Sequence, residues 1–471
     1  MSKLVVVKFG GSAIGIDGIS IKTIINRVND LKKDSKVIAV FSAPLTIQNG
    51  EKCSLTDVIL KQGRNVEKGI KANFDTVKSC YQKILELVDS EKKDDGQKTI
   101  NFFLKKAEDA LAEAFEKREF VEEIRSKALA FSGEILMSHV MKLILRSNGI
   151  KADTVSYDDW PIITDNNIES TNFLASKSRE RLDKTAKLVE ENEVVTIGGF
   201  IGKTQEGIVT TYERGGSDRT AADLGILFHK KYHTSIDFEK DSSVVSADPK
   251  IVETNLTDVD QLSYNEARLA GMFGMKILDP IAIKEIVENG VDMPIAITNM
   301  KNPSKTTIIK RFPDAKTDHP IKIVTGKENC AIFKIETNSA QRLLISLEKD
   351  RRYSEFVILS PFTKDGVEFS RILFLDGDYI KRNEKYFLGF DSLASITYNR
   401  GVITLIGDEM WRVQQVASRT SAKIGDAGLN ILNMDAQEET SRIIIVIEDS
   451  KDSIRKAINA VHKEKSKINL I

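Results

Sequence analysis

Two rhythms of apolar and polar positions run along the chain. Residues Leu4 to Val7 form an unbroken apolar run that continues through Lys8 to Phe9, which predicts a strand buried on both faces, as in the middle of a parallel sheet. Ile24, Ile25, Val28 and Leu31 then recur at helical spacing, and KVIAVFS (36–42) predicts a second buried strand. Residues 55–147 read as a long helical region, with the polar stretch DSEKKDDGQK (89–98) predicted to be a solvated loop. Short apolar strands return at EVVTIGGFIG (193–202), HTSIDF (233–238) and MPIAITN (293–299). Strands alternating with helices imply an α/β fold with an open, mainly parallel sheet sandwiched by helices, whose sites lie at the carboxyl ends of the strands.

The rhythm changes after Pro303. From 321 onward the elements are short and strand-rich: AIFKIE, FVILS, RILFLD, VITLIG, LNILNMD and RIIIVIED. The expected organisation is a first domain over 1–310, a linker at RFPDAKTDHP (311–320), and two small α+β domains over 321–395 and 396–471.

Bulk composition narrows the classes. With 471 residues the chain exceeds one core. Lys+Arg and Asp+Glu each total 69, so no global charge favours nucleic acid or an anionic membrane. The three cysteines, Cys53, Cys80 and Cys330, lack CxxC spacing and argue against a disulfide framework or a zinc site, as in a reducing cytosol. The amino terminus shows no signal-peptide pattern, and no apolar run approaches the ~20 residues of a membrane helix. A cytoplasmic protein is expected.

Chemistry concentrates where glycine meets charge. Lys8 leaves the first strand directly before Gly10 and Gly11, which puts a cation beside backbone that something can approach closely, and phosphate fits that combination. GGSAIG (10–15) is not the dinucleotide pattern, because its second glycine falls one position early. GGFIGKT (198–204) misses the P-loop spacing and is followed by a turn and strand, so a hairpin is expected. In ERGGSDRTAADLGILF (213–228), Gly215 and Gly216 precede Ser217, Asp218 and a predicted helix. Alone this is a helix cap; with Arg214 it is an anion site at a helix amino end. Glu134 sits among Ile135, Leu136 and Met137, where a buried carboxylate needs a cationic partner. Lys276 in FGMKILDP (273–280) is flanked by apolar residues, as a snorkelling lysine would be.

KFGGS (8–12), the pair Ser42–Ala43 and Ser54–Asp57, SGE (132–134), GGFIG, RGGSDRTAA (214–222), SADP (246–249), FGMKILDP and ITN..NP stand in the order found in aspartate kinases. The chain resembles that family over essentially its whole length. The resemblance implies an amino acid kinase fold followed by ACT domains, and ATP- and Mg2+-dependent phosphorylation of the L-aspartate side chain, the first step toward lysine, threonine and methionine. It assigns Lys8 and Lys276 to the transferring phosphoryl group and Asp218 to holding a lysine in place. Arg214 and Glu134 would read the α-carboxylate and α-ammonium of aspartate, with Ser42, Thr56, Gly216 and Ser217 lining the same site. Gly10, Gly11, Ser12, Val245 and Asp248 would belong to the nucleotide side. The family's ACT domains pair into dimers and sense lysine or threonine, so a homodimer or a dimer of dimers is implied.

The departures are specific. Ala13 replaces a hydroxyl residue of the family's KFGGTS, residues 44–53 look inserted, and Asp279 stands where the family has histidine. FEKDSSVV replaces the family's W-[TK]-D-V-x-G segment: without a gap Lys240 takes the place of the nucleotide-binding aspartate, and a one-residue slip gives that role to Asp241. Region 321–395 resembles an ACT domain by AIFKIE and little else. The competing readings are a related kinase acting on another carboxylate, and a non-catalytic amino-acid sensor on a kinase scaffold.

Overall fold

The computed structural model describes the chain except residues 214, 276, 314–319, 351–355, 439, 466 and 469–471, with side chains also set aside at 348–350. It packs as two units, Met1–Ser243 with Ile281–Arg311, and Val244–Pro280 with Phe312–Ile471. The segment 244–280 therefore packs with the second unit although it precedes residue 310.

In the first unit the strands are β1 (Lys3–Phe9), β2 (Lys36–Phe41), β3 (Ala152–Thr154), β4 (Val194–Gly198), β5 (His233–Lys240), β6 (Ile295–Asn299) and β7 (Thr306–Lys310). They lie in the order β7-β6-β5-β1-β2-β4-β3. All neighbours are parallel except β6 and β7. β1 is central, and its Leu4, Val6, Val7 and Phe9 are wholly buried. That explains the unbroken apolar run at its start. Lys8 pairs in register with Val40 of β2 and Phe238 of β5. Because side chains alternate across a strand, Lys8, Phe238 and Lys240 share one face, while Asp237 and Glu239 point to the other.

Two expectations change. DSEKKDDGQK is not a loop: Ser90–Lys117 is one helix. Its polar residues face solvent and pair locally, as Lys92 does with Asp89 and Lys93 with Glu86. Gly96 does not break it either, since a Cβ there would come within 2.3 Å of Leu85 Cδ1, so the glycine serves a close helix approach. Glu122–Ser147 is long and apolar enough to cross a membrane by length and composition, contrary to the expectation of no such run, yet 89% of its window is buried and Gly133 divides it into two helices. The stretch 44–53 is largely a hairpin, Leu45–Gln48 against Glu51–Ser54, turning at Asn49–Gly50, both at positive φ, as such two-residue turns require. Thr46 donates to Asp17 at 2.7 Å and anchors it. GGFIGKT is the expected hairpin, Ile201–Lys203 against Val209–Thr211.

The second unit is built on an antiparallel sheet of β8 (Ile323–Glu336), β9 (Phe356–Lys364), β10 (Val367–Phe374), β11 (Ser395–Ile406), β12 (Ile431–Ala436) and β13 (Arg442–Glu448), ordered β9-β10-β8-β11-β13-β12. One buried cluster gathers Phe333, Phe374 and Phe387 with Leu343 and Ile372. A second gathers Val324, Ile403, Leu405, Ile445 and Ile458 with Ala247 and Val252. The long strands β8 and β11 supply residues to both.

Candidate active site

Glycine-rich exits bring the first unit's polar groups together at the carboxyl ends of β1, β2 and β4. The Ser42 amide donates to the Phe9 carbonyl at 3.1 Å, and the Gly199 amide to the Phe41 carbonyl at 2.8 Å. The helix Ser217–Phe228 starts against these exits, its amino end flanked by Gly216 and by Gly215 at φ +95. A Cβ on Gly199 would lie 2.6 Å from the Ser217 Cβ, so only bare backbone lets the helix end come this near.

At that end Lys8 Nζ lies 2.9 Å from Asp218 Oδ1. Ser42 Oγ donates to Ser217 Oγ at 2.9 Å. Ser217 and Asp218 thus reach across to β2 and β1 instead of capping their own helix. A Cβ on Gly10 would meet Lys8 Nζ at 3.0 Å, so the lysine arches over the bare Gly10 backbone. An ammonium, two hydroxyls, glycine amides and a helix amino terminus make a cradle for phosphate. The donor set fits a nucleotide's phosphates; among the described residues no cluster of three His, Cys, Asp or Glu forms a metal site. Mg2+, which commonly takes few protein ligands and rides on phosphate oxygens, fits that arrangement.

Glu134 is the first residue of the helix Glu134–Ser147, just past the break at Gly133. Its Oε1 accepts from the Ala43 amide at 3.3 Å, and its buried Oε2 has no hydrogen-bond partner among the described residues. Burial pushes the carboxyl up to about 7, against the pull of its own and the Ala43 amides. The expected cationic partner is not found among the described residues. An α-ammonium entering here would supply it.

Gly198 makes this position possible. A Cβ there would come within 2.8 Å of the Glu134 carbonyl carbon and 2.9 Å of its oxygen. Gly198→Ala should therefore destabilise the fold by about 1–3 kcal/mol through a backbone shift, and should raise the aspartate KM because Glu134 moves. Denaturant melts and aspartate titrations at saturating ATP check both, and an unchanged KM refutes the coupling.

The other assigned residues distribute unevenly. Gly11 and the exposed Ser12 lie in the single turn Gly11–Ile14 after β1, and Thr56 is half-buried in the first turn of Leu55–Glu67. Asp241 is exposed just past β5. Val245 and Asp248 belong to the second unit, where Asp248 accepts from the Lys250 amide at 2.8 Å. Arg214 and Lys276 lie outside the described residues.

A charged group on the opposite sheet face went unread in the sequence. Arg27 pairs with Asp237 at 2.7 Å and also with Glu239, and burial, with Asp237 alongside, pushes Glu239 up to about 7. The available signal was acid at alternate positions of a buried strand. Within the Ser217 helix, Arg219 stacks over Tyr212 and pairs with Glu285 at 2.5 Å, which makes this arginine structural.

The fold and cradle define a class, and the amino acid kinase family model matches residues 3–299: the chain belongs to this family. Its curated relatives include the aspartokinase of Rickettsia felis, 25% identical over 331 residues that cover 69% of this chain and 79% of the relative. Two crystal structures of E. coli aspartokinase III share the fold. The complex with aspartate and ADP (R-state) gives a TM-score of 0.77 at 16% identity, covering 98% of this chain and 99% of that one. The complex with lysine and aspartate (T-state) gives 0.67 at 17%, with the same coverage.

Proposed function

We propose that the protein is an ATP-dependent aspartate kinase that forms 4-phospho-L-aspartate at the entry to lysine, threonine and methionine synthesis. The observation that carries this reading is the Lys8–Asp218 pair at the glycine-rich helix end, with the buried Glu134 carboxyl, which has no cationic partner among the described residues, at the start of the helix Glu134–Ser147. The side-chain carboxylate of aspartate is ionised at neutral pH, so it attacks the γ-phosphorus directly. One O–P bond forms, the bond to the ADP oxygen breaks, and no proton moves. What the chain must supply is alignment and positive charge around the transferring group. Mg2+ bound with ATP adds charge neutralisation, and Lys8 and the amides at the start of the Ser217 helix hold the phosphate end. Glu134 takes the α-ammonium, and Arg214 takes the α-carboxylate in bidentate fashion.

Hydroxylamine trapping with ATP, Mg2+ and aspartate tests the reaction. Aspartyl hydroxamate is expected, and its absence in protein that binds nucleotide would remove the reading. Arg214→Lys keeps the charge and loses the planar fork, so the aspartate KM should rise about tenfold or more with the ATP KM nearly unchanged. Equal effects on both would reassign Arg214. Support for amino-acid regulation is the likeness of the second unit to ACT domains and the lysine in one aspartokinase III complex; lysine and threonine are the effectors to titrate. The protein would work in the cytoplasm as a dimer or dimer of dimers.

A further inference from the structure

Lys240 is the last residue of β5, and the backbone holds it firmly. It pairs in register with Asn299 of β6, and its carbonyl accepts from the Met300 amide at 2.8 Å. The parallel register of β1 and β5 sets Lys8 opposite Phe238. Lys240 therefore lies two residues further toward the carboxyl ends, on the face that carries Lys8, at a rise of about 6.6 Å. Continuing that register, the residue level with it just past β1 is Gly10, over whose bare backbone the Lys8 ammonium arches.

We propose that Lys240 is a phosphate-binding residue, whose ammonium works with that of Lys8 on the phosphate end of the bound nucleotide. Its half-buried ammonium senses Asp218 and Lys8 together: burial pushes it down, Asp218 and Asp241 pull it up, and Lys8 pushes it down. By register, two ammonium-bearing residues thus share the sheet face on which Lys8 meets Asp218, with the positive helix end adding to them. A group of this sign, beside bare glycine backbone, is complementary to a polyanion. The exposed Asp241 follows Lys240 just past β5, where solvent screens its charge. The inference rests on the kinase reading for the identity of the phosphoryl acceptor, but not for the nucleotide.

Calorimetric titration with Mg2+ and a non-hydrolysable ATP analogue, on the full chain and its Lys240→Ala and Lys240→Arg variants, tests this. Alanine should weaken the analogue about tenfold or more, and arginine, which keeps the charge, should restore most of that affinity. In turnover the ATP KM should rise while the aspartate KM stays. Unchanged analogue affinity in Lys240→Ala overturns the proposal. So does a loss that tracks a lowered melting temperature and that arginine does not rescue, because that pattern marks a structural lysine. If the analogue binds in a Lys240-dependent way but the wild-type chain yields no aspartyl hydroxamate, Lys240 keeps its role and the acceptor is another carboxylate.

Discussion

Lys8→Ala should reduce aspartyl phosphate formation by on the order of 1000-fold or more, acting on kcat with little change in the aspartate KM. The side chain does two things that alanine cannot. It places an ammonium over the Gly10 backbone, and it is paired at 2.9 Å with a carboxylate that would otherwise face incoming phosphate. Removing it subtracts a cation from the transferring group and leaves the Asp218 charge to repel that group. Both partners are largely sequestered, at 14% and 8% exposure, so solvent screens little of the change. The hydroxylamine assay measures the rate, and a thermal melt separates chemistry from folding. A folded Lys8→Ala protein within tenfold of the parent rate would show that Lys8 is not the phosphoryl-binding lysine.

Glu134→Gln should have the second largest effect, and its signature is in the pH profile. The native carboxyl is held up at about 7 by burial. In the proposed site the α-ammonium of aspartate binds the carboxylate form, so below about pH 7 the aspartate KM should rise by about tenfold for each unit of falling pH, and should level off above it. Glutamine keeps the shape and cannot ionise. Its KM should be about 100-fold higher at pH 8, and nearly flat between pH 5.5 and 8. Stability has the opposite sign. The folded carboxyl retains a proton that the unfolded chain has already released, so its contribution is complete below the ordinary carboxyl range and fades as pH rises through about 7. Glutamine removes that slope, so melts at pH 5 and pH 8 should lie closer together in the variant than in the parent. Identical pH dependence of KM in the two proteins would take Glu134 out of substrate binding.

The cluster of Lys8, Ser42, Ser217 and Asp218 was legible in outline because its parts are local. A buried strand ending in lysine and two glycines, and a glycine pair before a helix, each declare themselves within a few residues. The parallel sheet was likewise readable from the apolar runs of its strands. Other features depended on partners distant in the chain. DSEKKDDGQK looked like a loop because Gly96 gains its purpose only against Leu85. Glu134 could be seen among apolar residues, but its proximity to the Ala43 amide and its lack of a described cation could not.

By itself, then, the sequence determined the class of fold, the glycine-rich strand exits at which we propose phosphate binding, and which residues had charge to offer, since hydrophobic periodicity and glycine placement act over short stretches. Tertiary structure alone decided which charges meet. The register of β1 with β5 put Lys240 on the Lys8 face and turned Glu239 to Arg27. Packing also joined residues 244–280 to the second unit and ran β8 and β11 through both of its cores. The physical reason is common to all of these: ion pairing and burial depend on three-dimensional distance and exclusion of water, and neither is encoded in the spacing of any one segment.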